Sequence, residues 1–399
     1  MRASAVVRLL SLCLPAFAVF LVSGRAYSGS TQMRSSQEGR FVKLSTPLTF
    51  GRSGHNAVLL DDERVLVAGG AWADLGGENS AEILQIRESR VRFGGQKMST
   101  LRSSATHNRL KDGRILFIGG ATDFEPAISS TDIFDPKTNS FSPGPNMLLE
   151  RSGHASVTLA DGRVLVFGGT DGYRIHDSVE IYNPVSGTFS LASSKMLTPR
   201  ANHTATLVNE STVAIIGGET IFPDSQQNNA ASFLRSIELF DVASMQFVEI
   251  ESKMSHPRIY HTAIRLDEQR VMVAGGLSDL AQSSDSLEIL NVSNHSVAVA
   301  GHTLRGRSLH SLTLLNDGTF LIAGGVENGI PLSDSERCRF VGVDDINCLS
   351  GAQMSRTRWG HTATSLPNGK VLFIGGLTNT PEFPKSNAGP IRGLELFLP

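Results

Sequence analysis

The run Arg151-Ser-Gly-His154-Ala-Ser-Val-Thr-Leu159-Ala-Asp161-Gly162-Arg-Val164-Leu-Val-Phe167-Gly168-Gly169 decides how this chain folds. Its opening residues, 151–159, are small and aliphatic with no helical period, and Asp161-Gly162 tolerates the positive φ of a tight hairpin turn. Residues 164–167 form a continuous apolar run of the kind seen in strands buried on both faces. Two glycines then let the chain turn where a Cβ would clash. Further on, residues 178–182 (Ser-Val-Glu180-Ile-Tyr182) read as a third strand, Asn183-Pro184 as a turn, and 189–192 as a fourth strand. Four short strands separated by turn residues describe an all-β unit.

That unit recurs. Diglycines stand at Gly69-Gly70, Gly119-Gly120, Gly168-Gly169, Gly217-Gly218, Gly275-Gly276, Gly324-Gly325 and Gly375-Gly376, at intervals of 50, 49, 49, 58, 49 and 51 residues. A fixed period of this size marks a supersecondary unit that stacks on its neighbours because it cannot bury its apolar face alone. Function then belongs to surfaces the repeats build together.

These residues resemble the kelch repeat, whose signature is a diglycine followed by spaced aromatics in the third and fourth strands; Phe141, Phe189 and Phe247 stand where many kelch units carry Trp. The resemblance implies a β-propeller with one four-stranded blade per repeat. The last repeat stops at Glu395-Leu-Phe397-Leu-Pro399, which aligns with the third strand, and residues 41–44 precede Arg52 as Phe189 precedes Arg200. The expectation is a seven-bladed propeller over 41–399, closed by the N-terminal strand completing the last blade, which hides the edges an open array would expose.

A net charge of -2 lacks the basic footprint that nucleic acid requires. Arg2 and Arg8, an apolar run over 9–22, and small residues at Ser23, Gly24 and Ala26 have the pattern of a secretory signal peptide. The run is short for a membrane span. Residues 1–26 are expected to be the signal, 27–40 a polar tether, and the mature protein to be secreted or periplasmic with no integral span. Cys338 and Cys348 then remain, and an even count in an exported chain favours a disulfide.

Three rings of side chains follow the repeat. One is Arg52, Arg102, Arg151, Arg200, Arg258, Arg307 and Arg358 at the entrance to the first strand. Another is Glu82, Asp132, Glu180, Glu238, Glu288, Glu336 and Glu395 in the third. The third is His55, His154, His203, His261, His310 and His361; Ala105 holds the equivalent place in the second repeat, with His107 two residues on. An acid inside an apolar strand must be paired if buried, so the first two rings read as structural ion pairs with the histidines joining them.

The alternative is a ligand face. In the kelch-like arrangement the arginines share a face with the loops that follow the diglycines, and variable loops on a rigid scaffold tend to carry function. Those loops hold Trp72, Phe124, Tyr173, Phe222 and Phe383. Kelch proteins that bind acidic peptides use arginines at this entry position, so the resemblance implies an anionic partner among protein, peptide or glycan ligands. Arg258-Ile-Tyr260-His261-Thr also resembles the galactose oxidase segment that gives a Tyr and a His to copper; that family's second His and its Cys–Tyr cross-link find no match, and no metal or cofactor is expected. Some exported kelch proteins isomerise acidic sugars, which keeps a sugar-directed enzyme as the second reading. No nucleophile elbow or phosphate-cradling loop appears.

Overall fold

The computed structural model describes residues 39–61, 64–72, 76–77, 79–86, 90–221, 231–379 and 389–399. The expected signal peptide, most of the tether, Phe222 and Phe383 lie outside the described residues. The described residues form strands and no helix. Around Arg151 the strands Ala155–Thr158, Val164–Phe167, Ser178–Asn183 and Thr188–Lys195 pair in that order, all antiparallel. Asp161-Gly162 lies in a tight turn between the first two strands, as expected, and the Leu159 amide closes that hairpin on the Arg163 carbonyl at 2.8 Å. The Gly162 amide donates to the Leu159 carbonyl (2.9 Å), and Gly162 takes φ +97°.

The continuous apolar run of each second strand has a direct cause, because both of its faces meet a neighbouring sheet. Val164 and Val166 pack with Leu116 and Ile118 of the preceding repeat. Leu165 and Phe167 pack with Val213 and Ile215 of the next. All four are fully buried. A strand with one solvated face would alternate instead.

Among the described residues, seven four-stranded antiparallel units of this kind follow one another. The fifth and sixth are also joined edge to edge, which the sequence did not suggest. Gly301 bridges Ile346 in parallel, and a Cβ at Gly301 would fall 2.2 Å from the Ile346 carbonyl. In the last unit, Arg40–Lys43 pairs with Leu394–Leu398, placing Phe41 opposite Phe397 and 5.1 Å from the rings of both Phe373 and Phe397. The strand begins one residue earlier than expected, so Arg40 belongs to it rather than to the tether. Both ends of the described chain thus share one sheet. Cys338 and Cys348 stand directly opposite in the sixth unit and form a disulfide, with Cα atoms 4.0 Å apart. Among the described residues no helix is long and apolar enough to cross a membrane.

If closure holds the ring, a chain beginning at residue 39 will melt with the full-length protein, whereas one beginning at residue 46 will melt several degrees lower. Equal melting temperatures in a thermal scan would contradict it.

Candidate ligand face and the arginine ring

Each repeat enters its first strand through a buried arginine. The guanidinium stays within its own blade: Arg52–Glu82 at 2.8 Å, Arg102–Asp132 at 2.7 Å, Arg151–Glu180 at 3.0 Å, Arg200–Glu238 at 2.8 Å, Arg307–Glu336 and Arg358–Glu395 at 2.5 Å, and Arg258–Glu288. Nη1 of each also donates to the carbonyl of the first glycine seventeen residues on, at 2.6–3.2 Å. The carboxylate is used twice. Its other oxygen accepts a backbone N–H from the loop entering the blade (Thr49, Ser99, Leu148, Leu197, Ser255, Leu304, Ser355) at 2.7–2.9 Å.

The arginine carbonyl reaches the other way. The second glycine of each preceding repeat donates to it, from Gly70 N to Arg102 O through to Gly376 N to Arg52 O, at 2.8–2.9 Å. That cycle closes the ring. The first glycine sits against the same carbonyl: a Cβ at Gly168 would lie 2.3 Å from Arg200 O, and one at Gly375 2.4 Å from Arg52 O, both at left-handed φ. The diglycine is therefore the seam between blades. Sequence reasoning missed its companion, a buried methionine four residues before the arginine (Met98, Met147, Met196, Met254, Met354) whose Cε packs on the first glycine. The Met-x-x-x-Arg spacing was there to find.

The arginines are thus 0–1 % exposed, which corrects their candidacy for the ligand face. A guanidinium already paired in a sealed site cannot meet an anion without breaking its blade. Nor do the histidines join the arginine–acid network. Each instead bonds the first strand of the preceding blade: His55 to Thr362 (2.9 Å), His154 to Thr106 (2.9 Å), His261 to Thr204, His310 to Thr262 and His361 to Ser311 (3.0 Å each). His107 replaces this contact in the second repeat by bonding Asn56 at 2.8 Å. Burial, reinforced by the nearby arginines, lowers His55, His154, His261 and His310 to about 3. His203 alone breaks the pattern. Ala155 stands where its partner hydroxyl belongs, and neither ring nitrogen has a partner among the described residues.

The residue two after each arginine is left-handed in all seven repeats: Gly54, Ser104, Gly153, Asn202, Tyr260, Leu309 and Gly360, with φ between 53° and 61°. Bulky Tyr260 and Leu309 are unusual there. Asn202 donates to Glu219 at 2.6 Å, and burial raises the pKa of this acid, which stands outside the ring of pairs. Tyr260 is half-buried, and the Nε2 of His261 that the copper resemblance singles out is taken by Thr204. Among the described residues, one group has metal-ligand spacing, Glu336 with Cys338 and Cys348. Its sulfurs are bonded to each other and its carboxylate to Arg307.

The face exposes several large apolar side chains. Phe124 (88 % exposed), Tyr173 (81 %), Leu280 (75 %) and Ile330 (62 %) stand on the loops after four of the diglycines. Trp72 lies on the short strand Ala71–Trp72 of the first such loop; its side chain is outside the described residues.

The KLHDC2/KLHL20/DRC7 Kelch-repeats domain matches residues 105–325 and 153–376, together more than half of the chain. The chain belongs to the kelch-repeat family. It is similar to galactose oxidase of Gibberella zeae, 24 % identical over 239 residues, covering 56 % of this chain and 34 % of that protein. It is also similar to Kelch repeat-containing protein kel-10 of Caenorhabditis elegans, 33 % identical over 114 residues, covering 28 % and 20 %. An F-box/kelch-repeat protein of Arabidopsis thaliana is 39 % identical over 72 residues, covering 18 % and 26 %. The chain spans about a third or less of the length of each.

Because other kelch repeats here fit a hydroxyl where Ala155 stands, Ala155→Thr is expected to stabilise the protein by about 1 kcal/mol through the bond it gives His203. Thr106→Ala, which strips His154, is expected to cost a similar amount. Urea unfolding measures both; a destabilising Ala155→Thr would refute the pairing.

Proposed function

We propose that this chain is a binding scaffold whose ligand, a protein, peptide or glycan, docks on the face carrying the post-diglycine loops, and that it works outside the cytoplasm. The observation that carries the first half is the exposure of Phe124 and Tyr173 on a rigid ring whose repeated polar residues are consumed by packing. Exposed aromatics on loops of a fixed scaffold are the usual anchors of recognition. Support for the compartment is the apolar run over 9–22 together with the Cys338–Cys348 disulfide.

The sugar-directed enzyme keeps one specific support. Glu219 with Asn202, beside His203 whose ring has no partner among the described residues, makes a point where sevenfold regularity fails, and a buried acid with a raised pKa suits proton transfer. The relative named galactose oxidase is compatible with a sugar ligand under either reading.

Peptide and glycan arrays probed with the full chain decide between them. Phe124→Ala/Tyr173→Ala is expected to remove the hits, while Val185→Ala/Val343→Ala on the opposite face leaves them. Hits lost only with the second pair would place the ligand elsewhere. Turnover of an acidic sugar, abolished by Glu219→Gln, would favour the enzyme.

A further inference from the structure

We infer that the second and third repeats form a docking surface for a basic protein segment with apolar anchors; the inference rests on the loop-face reading above. The loops 121–127 and 170–176 lie side by side, held by Ser152 between them. Its hydroxyl donates to the Pro126 carbonyl at 2.8 Å, and its amide to Thr170 at 3.0 Å. His176 bonds the Glu150 carbonyl from the same side. Phe124 and Tyr173 project from the two tips, and Leu148, 57 % exposed, stands on the strand-linking loop beside them. Large apolar side chains this exposed, gathered on one face of a monomer, mark an interaction site.

The charge around them is negative. Asp123 and Glu125 flank Phe124, Asp171 precedes Tyr173, and Glu150 lies between the loops, against Arg174 as the cation of the cluster. Glu125 and Glu150 are exposed and pair with no lysine or arginine among the described residues. The opposite face handles its acids differently. Asp112 and Asp161 in its hairpin turns bind Arg114 and Arg163 at 2.7 and 2.6 Å. Charge complementarity therefore selects a cationic partner on the loop face, opposite in sign to the anionic ligand that an accessible arginine ring would take. The arginines cannot compensate, since all seven are buried and paired.

The test is a selection of random twelve-residue phage-displayed peptides on the full-length protein. Enriched sequences are expected to combine Lys or Arg with Phe, Leu, Trp or Tyr, and to bind more weakly as salt rises. Their affinity is expected to fall at least tenfold on Glu125→Lys/Glu150→Lys and on Phe124→Ala/Tyr173→Ala, and to be unchanged on Glu210→Lys at the opposite face. Acidic peptides that still depend on Tyr173 would overturn the charge inference while leaving the loop face as the docking site. No enrichment, or binders indifferent to all loop variants, would overturn both.

Discussion

Seven arginines, each bonded at both ends, set the architecture. The side chain ties the first strand to the third strand of its own blade, while the carbonyl accepts a hydrogen bond from the diglycine of the blade before. One residue per repeat thus fixes fold within a blade and spacing between blades. Burying a guanidinium and a carboxylate costs several kcal/mol per ion, so the arrangement holds only because further hydrogen bonds back up the ion pair. The carboxylate's second oxygen on the incoming loop, and Nη1 on the glycine carbonyl, supply that satisfaction. The diglycine has no freedom to vary for the same reason: any Cβ on its first residue would displace the arginine carbonyl it sits against.

With the repeated polar groups absorbed in this way, what distinguishes one blade from another lies outside them. The loop tips differ, carrying Phe124, Tyr173, Leu280 and Ile330 in successive contexts of charge. The fourth repeat differs too, where Ala155 leaves His203 unpartnered and Asn202 turns to Glu219. A symmetric scaffold can recognise an asymmetric ligand only through such departures, and a rigid seam beneath them keeps the loops at fixed separations.

Much of this was legible beforehand. The diglycine period gave the units, the truncated last repeat with Phe41 gave the closing strand, and the buried-acid argument gave the Arg–acid pairs. Other features were not. The roles of Phe124 and the arginines depend on exposure, which a repeat alignment does not carry; the same periodicity is compatible with a binding ring and with a sealed one. The histidines were misplaced because their hydroxyl partners lie on the preceding blade rather than within their own repeat. The parallel bridge at Gly301 depends on two outer edges meeting, which no local pattern announces.

The arginine–acid pairs are scaffold and not ligand site. A double-mutant cycle on Arg151 and Glu180, followed by urea unfolding, tests this most directly. Each alanine variant is expected to cost about 3 to 5 kcal/mol because it leaves a buried charge uncompensated, and the double variant much less than the sum. Single variants within about 1 kcal/mol of wild type and additive in combination would contradict the account.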